Sequence, residues 1–301
     1  MSLWEVYLQP QSLDEALQSL EQASSPVALL AGGTDLLLEL RQKQHESLKT
    51  LIDVSAIPEL LRVDIGEEHI FIGAAVTHHT IIHHPGLIHH AQGLVEACGL
   101  IGGPQVRNVA TLGGNVAHAL PAGDGSIALV SLDAEALIAS QEGQRWVGIR
   151  SLFAGPGVAG FDRRHEIVVG FRFPVRRPFE GHAFSRVMRP QGVAIAILNM
   201  GIWMRLQADK TIAGVRIAVG PGGPTPFRGE KAEALMQGAA WNQALRERVV
   251  AMLLSEIKLR TSKHRATLEY RQHITAVLFE QVAALAYQRA QENSGEEGLG
   301  K

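Results

Sequence analysis

One stretch constrains this chain more than any other: Ile101-Gly102-Gly103-Pro104-Gln105-Val106-Arg107-Asn108-Val109-Ala110-Thr111-Leu112-Gly113-Gly114-Asn115-Val116-Ala117-His118. It holds four glycines, an arginine, two asparagines and a threonine, with neither a helical nor a strand period. Its main chain is therefore expected to serve something other than its own hydrogen-bond ladder, and a phosphate is the natural partner. A second double glycine, Leu29-Leu30-Ala31-Gly32-Gly33-Thr34-Asp35-Leu36, follows an apolar strand-like run and opens the next apolar segment. Glycine admits positive φ and leaves bare N–H groups that form a concave anion nest, so two such loops close on one dinucleotide. The plainer alternative for either loop alone is a tight turn between strands. Neither carries the G-x-G-x-x-G or G-x-x-x-x-G-K-[ST] spacing of the common nucleotide motifs.

The chain has 301 residues, enough for two domains. Lys+Arg 28 against Asp+Glu 30 leaves a net charge of -2, and no basic run advertises nucleic acid. The start Met1-Ser2-Leu3-Trp4-Glu5-Val6 has no basic region before an apolar stretch, and no segment approaches the ~18 apolar residues of a membrane span. A cytoplasmic protein is expected. Cys98 is the only cysteine, which excludes an internal disulfide and any iron–sulfur cluster held by this chain's own thiolates, since such clusters take about four. Core packing is its expected role.

Ser12-Leu13-Asp14-Glu15 reads as a capping box, with Leu13, Ala16, Leu17 and Leu20 at helical spacing, so the first helix spans residues 13–22. A buried strand over 27–31 delivers its end to Gly32-Gly33, a helix covers 36–41 and a strand 51–54. Asp35 is expected to cap the helix that follows it. Pro58 marks a subdomain break, and 70–73 begins a new sheet. Six histidines then stand in three pairs, His78-His79, His83-His84 and His89-His90. A metal site is one reading; exposed imidazoles on two short helices joined by a Pro-Gly turn are the expectation adopted. Residues 127–132 read as a short apolar helix or turn, 135–140 and 145–149 as a hairpin about Gln141-Glu142-Gly143-Gln144, and 166–174 as a strand. After the linker Arg176-Arg177-Pro178, strands are expected at 183–187, 193–206 and 212–219, then helices at 231–237, 243–257 and 265–289. The expected fold class is α+β, with an antiparallel sheet backed by helices as the second domain. Residues 292–301 read as a disordered tail.

No nucleophile triad, H-E-x-x-H, C-x-x-C or paired carboxylates appears, so no catalytic residue and no metal ligand is assigned. A chain of this size with so few acid–base candidates is expected to present a cofactor that carries the chemistry. Ala31-Gly32-Gly33-Thr34-Asp35-Leu36 and Thr111-Leu112-Gly113-Gly114-Asn115 resemble the paired FAD-binding signatures of the flavoprotein (medium) subunit of molybdenum hydroxylases, the family that includes xanthine dehydrogenase and carbon monoxide dehydrogenase. The likeness extends to Gln105-Val106-Arg107-Asn108, Asp124 and Pro224-Thr225-Pro226-Phe227-Arg228, and so to nearly the whole chain.

The resemblance implies a two-part FAD-binding domain of the vanillyl-alcohol-oxidase/CO-dehydrogenase flavoprotein type over residues 1–176, with subdomains of about 1–57 and 58–176. A smaller C-terminal domain over 177–291 follows it. It implies noncovalent FAD, held by Leu29, Leu30, Ala31, Gly32, Gly33, Thr34, Asp35 and Leu36, and by Thr111, Leu112, Gly113, Gly114 and Asn115. Asp124 is assigned to hydroxyl groups, and Ile101 and Val168 to apolar contacts near the flavin. Arg107 pairs with a phosphate or with a carboxylate inside the loop, and a structural ion pair is expected. This chain departs from the family at Leu120, where relatives often carry an acid, and at Ser185, where they carry a lysine near the flavin. Arg186, one residue on in a strand, sends its side chain to the other face.

The function implied is that of a subunit active only in a complex. Electrons would arrive from [2Fe–2S] clusters in a small partner and leave for a soluble acceptor, with substrate oxidised at molybdopterin in a large partner. A self-contained flavin oxidase and a non-catalytic nucleotide-binding assembly factor are the alternatives. The residues identify neither substrate nor acceptor.

Overall fold

The structure is a computed structural model and describes residues 2–44, 46–189, 195–262 and 265–294. The first sheet is parallel, with Leu48–Asp53 between Trp4–Leu8 and Val27–Leu30. Parallel pairing needs a crossover, and the helix Leu13–Gln22 supplies one; it buries Leu13, Ala16, Leu17 and Leu20, and Ser12 accepts from the Glu15 amide at 3.2 Å. The Glu15 carboxylate reaches the amide of Gln11 rather than that of Ser12, so the box closes one residue early. Strand Val27–Leu30 ends at the double glycine, and the chain turns there into the helix Leu36–Arg41.

The second sheet is antiparallel, in the order Val63–Ile65, His69–Gly73, Ile167–Pro174, Glu135–Ser140, Gly143–Gly148. Ile70, Ile72, Ala136, Ile138, Phe171 and Phe173 give it a buried face. The helices Gln92–Leu100, Leu112–Ala117 and Asp124–Ser131 contribute to the same core.

The third sheet runs Glu180–Val187, Leu198–Leu206, Ile212–Gly220, Phe227–Arg228, all antiparallel. The long helix Leu268–Glu292 covers it with Ile274, Leu278, Val282, Ala286 and Ala290, and Gln243–Glu256 packs alongside. Helices Gln92–Leu100 and Asp124–Ser131 also touch this sheet, so the second and third sheets sandwich them. Of the strand expected over 193–206, Leu198–Leu206 is present, and Val193 and Ala194 lie outside the described residues. The expected tail is helical to Glu292; Asn293 donates to the carbonyls of Arg177 and Glu180, and 295–301 lie outside the described residues.

The histidine segment differs from the expected helix, turn and helix. Pro85 and Gly86 form the first turn of the helix Pro85–His90, with His84 accepting from the Leu87 amide at 3.4 Å. Proline is pre-set for that position. No helix among the described residues is long and apolar enough to cross a membrane.

Candidate functional site

A cavity of about 1040 Å³ lies between the first two sheets and reaches the edge of the third. Leu29, Leu30, Ala31, Gly32, Gly33, Thr34, Asp35, Leu36, Ile101, Thr111, Gly113, Gly114, Asn115, Asp124 and Val168 all line it. Leu112 does not: its side chain is fully buried in the core and its amide donates to the Val76 carbonyl at 3.1 Å.

The first loop keeps free the amides that an anion nest needs. None of the main-chain amides from Ala31 to Leu36 donates a hydrogen bond to another described residue. Gly33 has φ +67, which a side chain would strain, and turns the strand end into the helix. A Cβ on Gly32 would stand 2.2 Å from the Val109 carbonyl oxygen, so this glycine lets the two loops touch. Asp35 occupies the cap position of the helix Leu36–Arg41, but its side chain makes no capping bond. Its backbone is already helical there, at φ -98 and ψ -54, so the capping role expected for it is not taken.

The second loop departs from expectation. It contains the helices Pro104–Arg107 and Leu112–Ala117, and the amides around its second double glycine, from Leu112 to Asn115, are spent. Gly113 donates to the Ala74 carbonyl at 2.8 Å, Gly114 to Thr111 Oγ1 at 3.0 Å and Asn115 to the Thr111 carbonyl at 3.0 Å. What it offers the cavity is close approach, together with the Thr111 hydroxyl. Its double glycine serves packing: a Cβ on Gly113 would stand 2.5 Å from that of Ala74. Arg107 makes no ion pair among the described residues. Its Nη1 donates to the carbonyls of Ile101 at 3.1 Å and Gly102 at 2.7 Å, closing the turn onto itself.

Asp124 is committed to other protein groups. Arg186 Nη1 donates to Asp124 Oδ2, and Asn199 Nδ2 donates to Asp124 Oδ1 at 2.6 Å. Burial pushes the Asp124 carboxyl above its ordinary range, and Arg186 and Asn199 offset that only in part. Arg186 lines the cavity and Ser185 does not, because alternate residues of Glu180–Val187 face opposite sides. The cation in this strand therefore reaches the site from Arg186, the residue set aside in reading the sequence.

Residues that the sequence reading missed also line the cavity: His78, His118, Arg163, Glu166, Ala196 and Arg265 among them. His78 was expected to be exposed, yet it is 1% exposed, and burial, with the Arg107 charge adding, pushes its imidazole down to about 4. The available signal was its place beside Thr77, which caps the helix His78–His83 and pairs with Thr111 of the second loop. His118 Nε2 lies 3.8 Å from Glu39 Oε1 across the mouth. No cluster of three or more metal-ligating side chains occurs among the described residues. Cys98 is buried, and burial raises its thiol pKa.

A run of unspent amides, a Cβ-free contact at Gly32 and an apolar-walled cavity of this volume fit a dinucleotide. Residues 2–176 match the family described as the FAD binding domain in molybdopterin dehydrogenase, and residues 182–286 match the CO dehydrogenase flavoprotein C-terminal domain. The xanthine dehydrogenase FAD-binding subunit of Escherichia coli O157:H7 is 31% identical over 267 residues, covering 88% of this chain and 90% of that one. The carbon monoxide dehydrogenase medium chain of Hydrogenophaga pseudoflava is 31% identical over 239 residues, covering 79% and 81%. A solved chain of carbon monoxide dehydrogenase from that organism, in a form lacking the Mo-pyranopterin moiety of the molybdenum cofactor, superposes with a TM-score of 0.88 at 27% identity, covering 94% of this chain and 97% of that one.

Proposed function

The chain belongs to the family of FAD-binding domains in molybdopterin dehydrogenases, and on that premise we propose that it is the electron-transfer subunit of a molybdenum-dependent hydroxylase, working only in a complex. In this reading a small partner with [2Fe–2S] clusters supplies electrons, a large partner with molybdopterin oxidises the substrate, and a soluble acceptor takes the electrons away. Residues 1–176 form the FAD-binding domain, in subdomains of about 1–57 and 58–176, and 177–291 the C-terminal domain. A cytoplasmic location belongs to the same reading.

The observation that carries it is the run of unspent amides from Ala31 to Leu36, residues that line the same cavity as Thr111 and Gly114. Those amides hold the diphosphate by N–H donation without a charged side chain. Thr111, whose Oγ1 already accepts from Gly114, has its hydroxyl proton left to give a phosphate oxygen. Gly113, packed on Ala74, keeps the second loop low enough to leave the ligand room. FAD supplies the redox chemistry when bound, accepting electrons singly and giving up two together.

The test is reconstitution. The isolated chain is expected to be yellow, to release FAD rather than FMN on denaturation, and to leave the complex's substrate unoxidised. Adding the molybdenum and iron–sulfur subunits should restore substrate-dependent reduction of the flavin. Full-rate turnover of a small organic substrate by the isolated chain would overturn the subunit reading in favour of a self-contained oxidase.

A further inference from the structure

Asp124, Arg186 and Asn199 form a buried polar chain, and the first two line the cavity. Arg186 and Asp124 have side chains 6% exposed each, and Asn199 is 0% exposed. Asn199 Nδ2 donates to the Ala122 carbonyl as well as to Asp124, and Arg186 Nη2 donates to the Leu100 carbonyl. Three wall segments are thus tied to one guanidinium: the end of Gln92–Leu100, the turn before Asp124–Ser131, and the strands of the third sheet. Breaking a buried pair on one side leaves an uncompensated charge, so this arrangement is expensive to keep without a use.

The order of contacts places the pair along the ligand. Gly32 of the nest stands on Val109 and Ala110, upstream of the second double glycine. Asn115, downstream of it, accepts from the Ser126 amide at 3.1 Å, two residues from Asp124. In the chain of contacts the second loop thus stands between the nest and the Asp124–Arg186 pair, and all three line one cavity. With the diphosphate on the nest, one terminal ring of the dinucleotide reaches Arg186, among Ile101, Pro121 and Ala196.

We propose that this ring is the flavin, that Arg186 is a fixed cation stabilising it when reduced, and that Asp124 and Asn199 are positioning residues for Arg186. The inference rests on the FAD reading above. An oxidised flavin that takes two electrons and one proton gains one negative charge on the ring, and a second proton cancels it. The electrons come from the iron–sulfur donor of that reading, or in the test from a chemical reductant. A nearby guanidinium favours the anionic reduced form, less strongly than a lone cation would because Asp124 offsets part of its charge. Adenine gains no charge in the cycle, so a cation beside it would leave the redox equilibrium alone.

The test measures potential and spectrum on the FAD-loaded protein. The reduced wild-type flavin should keep its anionic spectrum at acid pH where free reduced FAD takes up its second proton. Arg186→Gln should retain FAD while its reduction equilibrium constant falls about tenfold, a shift of about 30 mV for a two-electron couple. Arg186→Lys should recover at least half of that, and Asn199→Ala should show a smaller shift of the same sign. An unchanged potential in FAD-loaded Asn199→Ala removes the positioning role. A wild-type reduced flavin that titrates like free reduced FAD overturns the proposal even if Arg186→Gln does not fold. So does an Arg186→Gln protein whose only change is weaker FAD retention. Failure of the wild-type chain to bind FAD overturns the functional reading itself, which is a separate result.

Discussion

Gly32 stands against the carbonyl of Val109, and a Cβ built on it would lie 2.2 Å from that oxygen and 2.6 Å from the Ala110 α-carbon. Two loops far apart in sequence are held in contact by a missing side chain. The second loop has little room to yield, because Leu112 and Gly113 are tied to Val76 and Ala74.

Gly32→Ala is therefore expected to lower stability by about 1–3 kcal/mol through overpacking and to lose FAD. Thermal unfolding and the flavin content of purified protein check this. Gly148→Ala is the control, since a Cβ there meets nothing within 4 Å. Equal behaviour of the two variants would remove the contact from the binding account.

Stability should fall with acid. His78 is held near 4 and His182 near 3, both depressed from 6.5 mainly by burial. The unfolded chain then binds more protons between about 4 and 6.5, so the stability these neutral imidazoles carry is complete above 6.5 and drains as pH falls through that window. For His78 the whole window is worth about 3 kcal/mol. Chemical denaturation at pH values on either side of 6.5 should show the loss, and His78→Gln should flatten it. An identical pH slope in that variant would refute the assignment.

The exposed histidines should be dispensable. His79 and His83 lie with ring centroids 4.3 Å apart on the outer face of their helix, and neither lines the cavity. Changing His79, His83 and His89 together to Gln should leave flavin content intact and release no stoichiometric metal. His78 is left out because it faces the site. Elemental analysis and absorbance decide the matter, and loss of either component counts against it.

Glu96 should join the two halves. Its Oε2 accepts from the Phe184 amide at 2.9 Å and its Oε1 pairs with Arg289, which donates to the His182 carbonyl at 2.7 Å. Glu96→Ala leaves the Phe184 amide without a partner, at a cost of about 1–3 kcal/mol. A denaturation midpoint unchanged from wild type would show that the contact contributes nothing.

Several elements were legible because their causes are local. Ser12 caps the helix Leu13–Gln22, and the helix Leu36–Arg41 falls where the pattern after Gly33 places it. The turn at Gln141 and Glu142 joins Glu135–Ser140 to Gly143–Gly148. Each rests on residues within a few positions of one another, where capping, periodicity and glycine conformational freedom act alone.

The sequence by itself determined that two glycine loops exist and that no thiolate cluster does, since both follow from residue identity. Only the tertiary structure decided which loop keeps its amides, because those of Gly113 and Leu112 are taken by Ala74 and Val76, residues on another segment. It also decided that Arg186 rather than Ser185 enters the cavity, and that Asp124 is engaged by Arg186 and Asn199. Strand phase and a pairing across 62 and 75 positions leave no local mark, because they arise only when the second and third sheets pack over the same helices.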